Sequence, residues 1–299
     1  MTSAATSPST LAKRLLPQGA KDVVESGIRA ATTASAGLRQ GPDFLVVGTK
    51  RGGTTFTWST LVTHPQVMTT VPAAKNIKSP HYFYRYTDRG PDWYLGHFPT
   101  RAARRRHAAR HGAAVAFEAS PFYLFDPRVA ERARALLPAA RIVMLLRDPV
   151  VRARSHHQER TRAGVETLPF AEALAAEPER LAGEQERMLT EPGYYSRPWD
   201  WFSYRTRGEY APQVKRWFDA YGRDRVLVLR SEDLYADPDD TLGRIQEFVG
   251  IDRVGLAGAK RNRGRPEDPM DPALEEGLRA HYAPHNQALA DLLGEPTWW

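Results

Sequence analysis

Eight consecutive residues, Gly48-Thr49-Lys50-Arg51-Gly52-Gly53-Thr54-Thr55, carry the chemistry that is easiest to read in this chain. Glycine backbone turns tightly and lets a ligand reach main-chain amides with no Cβ in the way. A helix starting at Thr54 would add unpaired amides and a positive end, which favour a phosphate-like anion, and Lys50 and Arg51 bring two more charges. A second place of the same kind is Arg147-Asp148-Pro149, where Asp148 caps and Pro149 opens a helix containing Arg152, Ser155, His156 and His157. Arg147 would stand at a strand end beside that helix start, with Ser155 two turns along. Two anion sites on neighbouring units suit a ligand with phosphates at two separated positions; a single phosphate chain needs only one. The basic turn Arg261-Asn262-Arg263-Gly264-Arg265 is a third candidate contact, or else a plain surface loop.

The nucleotide-hydrolysing P-loop reads GxxxxGK[ST]. The spacing from Gly48 to Gly53 agrees, but Thr54 stands where that lysine belongs. An anion site without nucleotide hydrolysis is the expectation. Candidates for proton transfer come from elsewhere. Lys78, Ser79, His81 and Tyr82 lie in residues 73–99, a stretch dense in rings, cations and turn formers that fits no regular period and reads as a long loop with a short helix near Trp93. Glu118 ends an apolar strand, where a carboxylate is costly unless paired or functional, and open α/β sheets place their ligands at such strand ends. Each of these residues could also be a surface or packing group.

The elements that must position these groups follow from the apolar pattern. Residues 44–47 form a short continuous apolar run, the mark of a strand buried on both faces of a parallel sheet. Further strands are expected at 67–71, 115–118, 142–146 and 226–229. Asp126-Pro127, Asp237-Pro238 and Asp271-Pro272 read as caps and first residues of helices. Tyr194, Tyr195, Trp199, Trp201 and Phe202 could wall an acceptor site or simply pack locally. Strand and helix alternate from Phe44 onward, which predicts a P-loop-like α/β fold, a three-layer α/β/α with a central parallel sheet of about five strands. Residues 1–42 read as a flexible basic arm and 43–299 as the folded domain.

At 299 residues with 41% hydrophobic and 26% charged side chains, the chain is an ordinary globular one with room for a large core. It has no cysteine, which removes disulfide scaffolds, thiolate metal sites and a cysteine nucleophile from consideration. No run is long and apolar enough to span a bilayer and no secretion signal opens the chain, so a soluble cytoplasmic protein is the expectation. The net charge of +7 is partly clustered at Arg101, Arg104, Arg105, Arg106 and Arg110. Such a cluster could meet an anionic partner or be a solvated helix face. No nucleic-acid motif accompanies it, so no nucleic-acid partner is expected.

Taken together, VGTKRGGTT, DRGPDWYLGHFP, RDPVVRARS, RSEDLYADP and the RNRGR turn before a final helix make residues 43–299 resemble the sulfotransferases that use 3′-phosphoadenosine 5′-phosphosulfate, and most nearly the heparan sulfate sulfotransferase-like branch with its soluble bacterial members. The resemblance implies that Lys50, Arg51, Gly52, Gly53, Thr54 and Thr55 hold the 5′-phosphate and sulfonate, that Arg147 and Ser155 hold the 3′-phosphate, and that Arg263, Gly264 and Arg265 close over the donor. It implies in-line sulfonate transfer to a hydroxyl or amine, with no metal, leaving 3′-phosphoadenosine 5′-phosphate. The acceptor would be a small molecule, a glycan or a lipid-linked molecule.

Two departures from that pattern bear on catalysis. Many relatives carry lysine immediately before the glycine pair; here Arg51 stands there and Lys50 one residue earlier, and arginine supplies charge without donating a proton. The heparan sulfate enzymes use a glutamate in a loop reading like KEIHFF, and the matching stretch here is Lys78-Ser79-Pro80-His81-Tyr82-Phe83. With Ser79 in the glutamate's place, His81 is the first choice for the base because imidazole titrates in the right range, and Glu118 the second. A P-loop-type phosphotransferase, separable by magnesium and ATP dependence, and a nucleotide-binding protein that has lost catalysis are the rival readings.

Overall fold

Along the first strand Leu45 and Val47 point to one side of the sheet and Phe44 and Val46 to the other, and all four are wholly buried. That two-sided burial is why the run is apolar throughout and does not alternate. The structure, a computed structural model, describes residues 18–256 and 270–299. In chain order its elements are α1 (Gln18–Ala34), β1 (Phe44–Gly48), α2 (Thr54–Leu61), β2 (Val67–Met68), α3 (Tyr82–Arg85), α4 (Gly90–Leu95), α5 (Arg101–His111), β3 (Val115–Ala119), α6 (Val129–Leu136), β4 (Arg141–Leu146), α7 (Pro149–Arg162), α8 (Phe170–Leu181), α9 (Glu184–Thr190), α10 (Arg197–Phe202), α11 (Tyr210–Tyr221), β5 (Val226–Arg230), α12 (Ser231–Ala236), α13 (Pro238–Val249) and α14 (Pro272–Leu293).

The five strands are all parallel in the order β2-β3-β1-β4-β5. This is the expected α/β three-layer fold. One face of the sheet packs on Leu61, Leu234, Leu242 and Ile245, and the other on the aromatic segment around Phe83 and Tyr94 and on Trp217 and Leu289. From β1 the chain goes to β2 and β3 on one side and then crosses to β4 on the other. The crevice at the carboxyl ends of β1, β3 and β4 is therefore the switch point at which such sheets place ligands, and it brings Gly48, Glu118 and Arg147 to one mouth.

Three local expectations change. The fold starts earlier than Asp43: Arg39 is buried, its guanidinium donating to the Thr32 and Phe98 carbonyls at 3.1 and 2.6 Å, and Arg29 donates to the Val71 carbonyl. Polar contacts from two arginines dock residues 29–42, so no apolar stripe announced them. Asp126 does not cap a helix. It forks Arg128, accepting from its backbone N, Nε and Nη2, and α6 begins at Val129. The second strand is only Val67–Met68. In the basic helix α5, Arg104 is buried on Asp43 while Arg101, Arg105, Arg106 and Arg110 are exposed.

Candidate active site

The turn after β1 is shaped by its glycines. A Cβ on Gly52 would lie 2.5 Å from the Leu145 carbonyl oxygen, so no other residue fits there, and Gly53 has φ of +90°. Arg51 also takes a positive φ, 72°, a strained value for a side-chain-bearing residue and one that structures tend to keep at functional sites. Thr54 and Thr55 open α2, and the Lys78 ammonium donates to both of their hydroxyls at 2.9 Å. A cation at the positive end of a helix is unfavourable by itself; it becomes favourable when an anion lies against both. Burial lowers the Lys78 ammonium to about 8. Lys78 was one loop candidate among four, and it is the one delivered to this loop.

The side chains of Lys50 and Arg51 part company. Arg51 Nε donates to Ser155 Oγ at 3.0 Å, and Arg147 Nη1 donates to the Arg51 carbonyl at 3.2 Å. Arg51, Ser155 and Arg147 thus form one group at the start of α7, where Asp148 caps Val150 and Val151 as expected. The Arg51 side chain therefore stands with Ser155 and Arg147, at the expected second anion site, and not beside Thr54 and Thr55. Lys50 turns toward α7 and α10, with its ammonium 3.6 Å from Asp200 and 3.8 Å from Glu159. Burial lowers it to about 8, with Asp200 pulling the other way. Tyr235, inside the RSEDLYADP stretch, lies against the glycine turn: its hydroxyl is 3.2 Å from the place a Cβ on Gly53 would take. Arg263, Gly264 and Arg265 lie outside the described residues.

Beside the glycine loop sits a buried acid with three hydroxyl partners. Glu118 is wholly buried, and it accepts from Ser79 Oγ at 2.5 Å, Tyr94 OH at 2.7 Å and Tyr123 OH at 3.2 Å. Burial pushes its carboxyl up to about 7 despite the pull of those hydroxyls. Ser79 Oγ also accepts from the His81 backbone N at 2.9 Å. His81 itself has φ of 56°, and burial lowers its imidazole to about 4, with Lys78 and Arg85 adding to the drop against Asp200. Its Nδ1 is 3.4 Å from Ser120 Oγ. Of the two expected bases, Glu118 is the one whose proton affinity suits neutral pH.

The aromatic segment divides. Tyr195 packs on Tyr84 and donates to Asp200 at 2.6 Å, beside Lys50 and Arg207. Burial raises the Asp200 carboxyl, but Lys50, Arg207 and the Tyr195 hydroxyl outweigh it and hold it below the usual range. Trp199 stacks on Phe125 in the core, and Tyr194 is tied to Arg187 and Glu184. Asp200 carried no sequence signal: it is a lone carboxylate inside an aromatic run.

A family model described as a sulfotransferase domain matches residues 41–258. Among curated proteins, the chain is similar to the human bifunctional heparan sulfate N-deacetylase/N-sulfotransferase 3, 27% identical over 292 residues that cover 86% of this chain and 31% of that protein. It is also similar to the mouse heparan sulfate glucosamine 3-O-sulfotransferase 6, 26% identical over 287 residues that cover 88% of this chain and 75% of that one. The chain thus spans under a third of the first of these. A sulfotransferase of solved structure from Alicyclobacillus acidocaldarius is 30% identical with a TM-score of 0.61, covering 86% of this chain and 97% of its own. None of these matches favours a phosphotransferase. With its glycine turn, its strand-end cations and its five parallel strands, this chain belongs to the sulfotransferase domain family.

Proposed function

We propose that the chain transfers a sulfonate from 3′-phosphoadenosine 5′-phosphosulfate to a hydroxyl or amine of a carbohydrate, glycolipid or secondary-metabolite acceptor. The observation that carries this reading is the pair of cation sites joined through Arg51. Lys78 sits on Thr54 and Thr55 at the start of α2, and the Arg51 side chain sits with Ser155 and Arg147 at the start of α7. A ligand with a phosphosulfate at one end and a separate 3′-phosphate fits both, and Gly52 and Gly53 leave the main chain open to it. When bound, that donor supplies a sulfonate already activated by its bond to phosphate.

The chain's own groups have the following roles. Lys78 stabilises negative charge that grows on the departing phosphate oxygen, which Arg51, turned away, does not reach. Arg51, Ser155 and Arg147 hold the 3′-phosphate, and Arg263, Gly264 and Arg265 are further donor-binding residues. Ser79 Oγ has one proton and two lone pairs; the proton goes to Glu118 and one lone pair to His81 N. The remaining lone pair can take the acceptor's proton while Ser79 passes its own to Glu118 Oε2. Glu118 is then the base, acting through the serine that replaces the usual glutamate. His81 positions that serine through its backbone. Lys50 fixes Asp200, on the wall that the acceptor would meet.

Calorimetric binding of 3′-phosphoadenosine 5′-phosphate beside ADP and ATP tests the donor assignment. The bisphosphate should bind tightly and the other two weakly. Equal affinity for ADP and the bisphosphate would remove the second anion site and this reading with it.

A further inference from the structure

Away from the strand ends, one cluster among the described residues has the donor set of a transition-metal site. Glu209, His281 and His285 each offer one ligand atom, and all three atoms lie within 4.8 Å of one another. His281 and His285 are four residues apart on α14, hence one above the other on the same face, with ring centroids 5.0 Å apart. Glu209 comes from another part of the chain and stands at the N-cap position of α11. Glutamate is not one of the short side chains that cap a helix from this position, so its carboxylate is free to point elsewhere. This one makes no capping bond and lies 3.1 Å from His281 Nε2. Its backbone is pinned: the carbonyl accepts from Gln213 Nε2 at 2.8 Å and the N–H donates to the Thr206 carbonyl at 3.2 Å.

We propose that Glu209, His281 and His285 bind a divalent first-row cation of the zinc type, clamping the last helix to the start of α11. Two imidazoles and a carboxylate suit zinc, nickel, cobalt or copper and not magnesium or calcium, which take oxygen ligands. Bonds of about 2.0–2.2 Å at tetrahedral angles place ligand atoms about 3.4 Å apart. The Glu209–His281 separation of 3.1 Å is already close to that value, and the His285 ligand atom lies within 4.8 Å of both. All three residues are half-buried, so a fourth position remains open to water. The site is structural and separate from the transfer chemistry, and it stands whether or not the sulfonate-transfer reading does.

The test uses full-length, tag-free protein titrated with cobalt(II), followed by visible absorption, then with zinc(II) as competitor and as additive in thermal unfolding. One equivalent of cobalt should give the intense bands of a four- or five-coordinate ion, zinc should displace them, and zinc should raise the unfolding midpoint. Glu209→Gln and His285→Gln should each weaken binding by about tenfold or more, since even outer-shell losses have effects of that size. Binding unchanged by Glu209→Gln would mean a bare histidine pair and overturn the three-ligand site. A spectrum that stays that of the hexaaquo ion would overturn any site at all.

Discussion

The two halves of the strand-end crevice are assembled in different ways. The half proposed to bind anions is built from local pieces: Gly52, Gly53 and Thr54 sit in one turn, and Asp148 and Pro149 start the helix that carries Ser155. The Ser79–Glu118 half is assembled across distance, from Ser79, Tyr94 and the β3 end with its following turn, which carries both Glu118 and Tyr123. Backbone rules place the first set of groups, and tertiary packing places the second. Charge in the first stands ready for the anion that the proposed donor would bring. In the second it is held in the core by three hydroxyls, and it can disappear with one proton.

The sharpest way to break the comparison is at Glu118. Glu118→Gln keeps the shape and removes the proton acceptor, so kcat should fall by about 10²–10⁴ while affinity for 3′-phosphoadenosine 5′-phosphate stays put. The wild-type rate should rise with pH through about 7, where the buried carboxyl loses its proton, and the variant should lack that limb. His81→Asn should keep it, because burial has taken the imidazole down to about 4. A limb lost in the histidine variant and kept in the glutamine variant would return the base to His81. Stability gives an independent reading. Glu118 binds its proton more tightly folded than unfolded, so the native state holds more protons between about 4.5 and 7. Stability must then fall as pH rises through that window. Urea midpoints at either end should show that slope in wild type and a flatter one in Glu118→Gln.

Lys78 joins the two halves, one residue before Ser79 and on the hydroxyls of Thr54 and Thr55. Lys78→Ala should lower kcat by about 10²–10³, the usual loss for one group stabilising transition-state charge. Single-turnover rates with saturating donor would check it, and a drop confined to donor affinity would make Lys78 a binding residue only. Arg147→Ala belongs wholly to the anion half. It should weaken the bisphosphate by about 1.5–3 kcal/mol, the range for a charged hydrogen bond, and leave ADP and the acceptor KM little changed. Calorimetry on both nucleotides separates that outcome from a general loss of folding.

That contrast also explains what could be read in advance. The parallel sheet and its alternation with helices follow from apolar runs and cap signals a few residues long, and they stand as expected. Arg51, Ser155 and Arg147 were each nameable, yet their meeting depended on a positive φ at Arg51 that turns its side chain from one site to the other. Ser79 is a candidate on sequence, yet nothing in the sequence pairs it with Glu118. Its link to Glu118, 39 residues on, exists only when β3 and residues 78–81 pack together. Asp200 and the docking of Arg39 share that origin: a single polar residue has no period, and only the folded neighbourhood gives it a partner.

Lys50 offers the smallest effect and the finest discrimination. Its ammonium lies 3.6 and 3.8 Å from two carboxylates, and Asp200 keeps the Tyr195 hydroxyl and Arg207 without it. Lys50→Met retains most of the packing of the stem and leaves Asp200 two partners, so it should cost less than the about 3–5 kcal/mol of a buried pair broken outright and reduce kcat far less than Lys78→Ala. Chemical denaturation and the same single-turnover assay, run side by side on the two variants, decide the matter. Should Lys50→Met match Lys78→Ala in rate while remaining stable, Lys50 must leave Asp200 and swing to the loop when the donor binds. The leaving-group charge would then be met by the residue the motif itself contains, and the division between a local and an assembled half would fail at its central lysine.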